Sequence, residues 1–158
     1  MLVWWAYSSY EKTALMAAIA EDSKPLPLNT DVTQENINDT ICKRGYTRTV
    51  RPSVVYTNAV KRQKLLAQGL PVSAAKDYEL DHIIPLELGG APADPRNLQL
   101  QIWHEAHEKD FVENCLNYAV CHGGLALDEA QGRIWVDWHE AKHHCESASF
   151  LGQQPKSE

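Results

Sequence analysis

The chain has 158 residues, 44% of them hydrophobic and 23% charged, with a net charge of −6 at neutral pH. That length suits one domain, or one domain with an added arm, and excludes a second independent fold of ordinary size. An ordinary composition without repeats excludes a disordered or solenoid chain, and the acidic balance speaks against a uniformly basic nucleic-acid binder.

In chain order, the run MLVWWAYSSY is apolar and aromatic, but Glu11 and Lys12 interrupt it, and Glu21 and Asp22 break the KTALMAAIA that follows. It is too short to span a bilayer and lacks a basic n-region and a continuous h-region, so neither a membrane span nor a full-length signal peptide is expected. In an exported protein Met1 would mark a processed start. Residues 9–21, rich in Ala, Leu and Met, predict a helix, and 1–30 read as an N-terminal arm. The aromatic patch Trp4, Trp5 and Tyr7 is either packed against the domain or a surface for a protein partner or for delivery. Disorder is expected in the 151–158 tail and in the Pro-rich link SKPLPLN.

The main domain is expected over 31–150. DVTQENINDTI reads as a short helix capped by Thr33, and TRTVRP as a short strand ending on Pro52. SVVYTNAVKRQKLLAQG predicts a helix from the cap Ser53 to Gly69, with Val54, Val55, Ala59, Leu65 and Leu66 facing the core and Lys61, Arg62 and Lys64 facing outward. DYELDHIIPLELGG is extended, because Pro85 opposes a helix and Gly89 and Gly90 open a loop. NLQLQIW alternates and predicts a second strand, paired with the first through a loop of about ten residues. HEAHEKDFVENCLNYAVCHGG predicts a helix from about His104, and LDEAQGRIWVDWHEAKHHC one last long helix with Ile134, Trp135, Val136 and Trp138 in the core. The fold class is α+β: helices around one small β-loop-β-helix unit, with Trp103 at its border.

Charge is distributed unevenly. Eight of the fifteen basic residues (Lys43, Arg44, Arg48, Arg51, Lys61, Arg62, Lys64, Lys76) fall between Thr40 and Lys76, where there is no Asp or Glu. Such a run is commonly a solvated face, but the total lack of acids favours an anion-facing surface. The unit that follows holds Asp81 and His82 on its first strand, Asn97 at the start of the second, and His104 and His107 on one face of the helix. Regular strand alternation sends Asp81 and His82 to opposite faces.

ELDHIIPLELGG, DPRNLQLQ and HEAHEKD together resemble the HNH endonucleases, whose ββα-metal unit binds one divalent cation and cuts phosphodiesters. TICKRGYTRTVRP, SVVYTNAVKRQKL and the VC of YAVCHGG extend the resemblance to a bacterial HNH subfamily over about 40–130, with the core at about 77–121. It implies a metal-dependent DNA endonuclease, with RNA a second possible substrate. Within it His82, with an ordinary pKa of about 6.5, is the general base, and Asp81 the hard-oxygen ligand for magnesium or manganese. Asn97 is either a second ligand or the amide that fixes the hairpin and orients the base. Either His107 or His104 completes the metal site, and a histidine ligand would also admit zinc or nickel. Arg48, Arg51, Lys61, Arg62 and Lys64 are candidates for phosphate contact. Lys109 is a further candidate, or half of an exposed helical pair with Asp110. The competing expectation is a nucleic-acid-binding or structural metal module that keeps the hairpin without hydrolysis.

His139, Glu140, His143 and His144 form a second cluster that reads as a solvated helix end, with Cys145 its one further donor. No CxxC pair is present among the four cysteines, so zinc-ribbon and thioredoxin-type motifs are excluded. The resemblance implies a Cys42–Cys121 disulfide, which leaves Cys115–Cys145 as the second, and with the even count it favours a secreted or periplasmic location. Four reduced thiols in a cytoplasmic protein are the alternative.

Overall fold

The computed structural model describes residues 24–147. The expected helix at 9–21, the patch Trp4, Trp5 and Tyr7, and the 151–158 tail lie outside them. Within them the protein is mixed α and β. Helices α1 (Tyr46–Val50) and α2 (Val54–Ala67) come first, followed by strands β1 (Tyr78–His82) and β2 (Leu98–Ile102). Helices α3 (Trp103–Cys121), α4 (Leu127–Val136) and α5 (Trp138–Ser147) complete the order. The strands form one antiparallel pair in which Glu79 faces Gln101, Asp81 faces Gln99 and His82 faces Leu98. Their connection runs from Ile83 to Asn97 and contains two 3₁₀ turns, so it is longer and more structured than the expected loop.

The core lies beside the sheet and is organised by α3. Val112, Cys115, Leu116 and Val120 meet Ile84 and Leu88 of the connection, Leu127, Ala130 and Ile134 of α4, and Ala141 and Cys145 of α5. Val32, Ile37 and Ile41 close it from the N-terminal side. The segment around Thr33 is a 3₁₀ helix, Gln34–Asp39, held by a capping box between Thr33 and Asn36.

Expectations about three elements are corrected. TRTVRP is helical, not a strand: Gly45 at φ 85° turns the chain into α1, Tyr46 packs on the core, and Pro52 forces Arg51 into extended backbone only after Val50. In α2 the buried residues are Val60 and Leu65, while Val54, Val55, Ala59 and Leu66 are exposed, because the helix leans on the hairpin through its lysine side instead. Lys61 Nζ donates to Tyr78 O at 2.7 Å and Lys64 Nζ to Pro95 O at 3.1 Å. The last helix is two helices. Asp137 leaves helical geometry at φ −162°, and its carboxylate accepts from His139 N at 2.8 Å, the bond of an N-cap that starts α5. Val136 beside the break is exposed.

The Pro-rich link, for its described residues from Lys24 onward, is ordered against the site loop. Ala91 N donates to Pro27 O and Asn29 N to Gly89 O, and Leu28 bridges Gly90. Both disulfides form as expected, Cys42 with Cys121 and Cys115 with Cys145, and all four cysteines are used. Among the described residues no helix is long and apolar enough to cross a membrane.

Candidate functional site

The site is built on the end of β1. Alternation sends Asp81 towards α3 and His82 towards the connection and α2. The His82 ring is 9% exposed and its Nε2 lies 2.9 Å from Pro92 O. A carbonyl only accepts, so this contact places the ring proton on Nε2 and leaves the Nδ1 lone pair as the base. Burial lowers the His82 pKa below its ordinary 6.5. The Pro92 bond and Asp81 oppose that shift, and Arg51 and Lys109 add to it. The ring is therefore neutral, and able to take a proton, at pH 7.

His82 lines a cleft of about 260 Å³ together with Arg51, Pro52, Thr57, Asn58 and Lys61. Such a space admits a phosphate group with several waters. Of the expected phosphate contacts, Arg51 and Lys61 reach this cleft. Lys61 and Lys64 are half-buried and committed to backbone carbonyls, while Arg48 on α1 and Arg62 on α2 are exposed away from it.

The other face of the hairpin is acidic. Glu79, Asp81, Glu87, Asp110 and Glu113 line a second cleft, with Arg51, Leu80 and His82 shared between the two. Burial raises the Glu79 pKa, reinforced by Asp81 and Asp110 and opposed by His107 and Arg51. Burial likewise pushes Glu87 up to about 7, with Asp110 adding to the shift and Lys109 opposing it. Since the folded value exceeds the unfolded one, stability from this group is full below about 4.5 and is lost as pH rises through about 7. Glu87→Gln is therefore expected to stabilise the protein by about 3 kcal/mol at pH 8 and by little at pH 4, read from urea midpoints at both pH values.

Asn97 is fully buried and its amide is spent on backbone. Its Oδ1 accepts from Ile84 N at 2.8 Å, and its Nδ2 donates to Ile84 O at 2.9 Å and to Ala91 O at 3.0 Å. Of the two expected roles it holds the loop, and it has no free oxygen for a metal or a substrate. Gly90 lets the loop close: a Cβ there would lie 1.8 Å from Ile84 O and 2.7 Å from Asn97 Nδ2.

The expected metal donors are not gathered. His104 is 80% exposed beside Glu108 of its own helix, 3.5 Å away. His107 is exposed, with its ring 6.1 Å from that of Trp103. Asp81 Oδ2 is taken by Lys109 Nζ at 2.8 Å. With Asn97 also engaged, the set Asp81, Asn97, His104 and His107 does not fit a divalent ion. Among the described residues no three His, Cys, Asp or Glu side chains are arranged to hold one. In the second histidine cluster, His139 and His143 are exposed on α5 beside Asp137 and Glu146.

Lys109 is also corrected. It is neither an exposed partner of Asp110 nor a phosphate contact, because its side chain is 1% exposed. The spacing Ala106, Lys109, Val112, Leu116 puts it on the buried stripe of α3, a periodicity that was present in the sequence. Glu113, its partner one turn on, was missed altogether.

Comparison with protein-family models, curated proteins and solved structures finds no match to this chain.

Proposed function

We propose that this chain is a phosphodiesterase of HNH endonuclease type acting on DNA, with His82 as general base. The observation that carries the reading is the buried His82 ring, held by Pro92 O in a cleft it shares with Arg51 and Lys61. The lone pair removes a proton from the water that attacks phosphorus, the bond from phosphorus to the 3′ oxygen breaks, that oxygen leaves with a proton from solvent, and the cations offset charge on the phosphoryl oxygens. The hairpin followed by α3 has the element order of the ββα unit that the DHIIPLELGG and NLQ segments resemble. Location outside the cytoplasm belongs to the same reading, supported by two disulfides that bury half-cystines in the core.

A bound divalent ion would supply Lewis-acid stabilisation in such a reaction, but the expected donors do not fit one, so no step is assigned to it. The engagement of Asp81 by Lys109 favours, as a second reading, a module that binds nucleic acid without cutting it. Plasmid nicking with magnesium, manganese, zinc, nickel or chelator, beside His82→Ala, separates the two. Cutting by the wild type and not by the variant supports the enzyme, and no cutting under any condition leaves the binding module.

Both readings require phosphate contact at the basic cleft. Arg51→Ala is expected to weaken DNA binding evenly across sequences and to reduce the slope of log affinity against log salt by about 1. Fluorescence anisotropy at several salt concentrations reads this out, and an unchanged slope would remove Arg51 from the interface.

A further inference from the structure

A cation held between Asp81 and α3 would sit where that helix meets β1. The residue standing there is neither histidine but Lys109. Its Nζ lies 2.8 Å from Asp81 Oδ2 and 2.7 Å from His82 O, and donates also to Glu113 Oε1. An ammonium has three donors, and these three acceptors take all of them. Burial works against the charge on Lys109, but Glu113 and Asp81 outweigh it by charge and hydrogen bonding, and its pKa is raised.

We propose that Lys109 is a built-in cation that takes the place of a metal ion between β1 and α3, holding Asp81 and His82 in position and competing for Asp81 through its Oδ2. The assignment concerns ion binding and stands apart from whether the chain cuts DNA. A divalent ion at Oδ2 of Asp81 would have to displace an ammonium whose side chain is 1% exposed, and one at Oδ1 would lie against the same positive charge. Lys109 touches no substrate in this arrangement. It acts through the carbonyl of His82 and the carboxylate of Asp81, and is a positioning residue.

Manganese(II) alone is the probe, titrated into the full chain while the free-ion signal is followed by electron paramagnetic resonance. In the wild type no bound manganese that Asp81→Asn removes is expected. Lys109→Met unmasks Asp81 and Glu113, and is expected to gain a manganese site that the double variant with Asp81→Asn loses. Manganese should also raise the melting temperature of Lys109→Met and leave that of the wild type unchanged, a rescue that a purely structural lysine would not show. A wild-type site abolished by Asp81→Asn overturns the proposal, as does a folded Lys109→Met that gains no site. Should Lys109→Met fail to fold, the wild type and Asp81→Asn decide alone. Plasmid nicking by His82→Ala tests the nuclease reading separately, so the two can fail independently.

Discussion

Replacing His82 with alanine is expected to cut the rate of plasmid nicking by about 10²- to 10⁴-fold, the usual contribution of a positioned general base, while the protein remains folded. The fold should survive because the ring contributes one hydrogen bond, to Pro92 O at the rim of the basic cleft, and lies outside the main core cluster. The pH profile gives the stricter test. A base acts only unprotonated, and burial, aided by Arg51 and Lys109, lowers the His82 pKa. The acid limb of kcat/KM should therefore fall below the ordinary histidine value of about 6.5. An acid limb above that value, or one unchanged in His82→Ala, would assign the proton transfer to another group.

Asn97→Ala should produce the largest loss of stability, about 3–5 kcal/mol, read as a drop in the urea midpoint. It removes three bonds at a fully buried position and leaves Ile84 N, Ile84 O and Ala91 O without partners. Asn97→Asp separates the two roles that the sequence left open. A carboxylate still accepts from Ile84 N but sets a second oxygen against the Ile84 and Ala91 carbonyls, so an amide that ties the loop predicts a comparable loss. A metal ligand predicts the reverse, because aspartate binds hard cations at least as well as asparagine. The loss should bring a fall in nicking too, since Pro92, whose carbonyl holds the His82 ring, follows directly on Ala91.

What the sequence revealed was what local chemistry decides. Ser53 and Gly69 bracket α2, Pro85 and the glycine pair open the connection, and period-two alternation marks the strands, so the hairpin and the opposed directions of Asp81 and His82 were legible. The misreadings arose where tertiary context outweighs local preference. Thr47, Thr49 and Val50 favour a strand, yet the left-handed turn at Gly45 and the packing of Tyr46 make them helical. Asp137 lies inside a pattern that reads as one helix, whereas its carboxylate starts a new one. The resemblance directed attention to histidines as cation partners, but the pair that meets Asp81 and His82 from α3 is Lys109 and Glu113. Their four-residue spacing is that of any surface ion pair, and only the burial of Val112 and Leu116 on the same stripe sets them apart.

The Cys42–Cys121 bond, joining residues 79 apart, closes the backbone into a ring that contains Arg51, His82, Asn97, Lys109 and Glu113. One peptide cut at the exposed Gln68–Gly69 turn, whose glycine sits at φ 70°, would open that ring without parting the pieces. The two fragments should migrate together on a denaturing gel and separate only after reductant. A nicked chain can thus keep both walls of its basic cleft, α2 on one fragment and the hairpin on the other, tethered to each other.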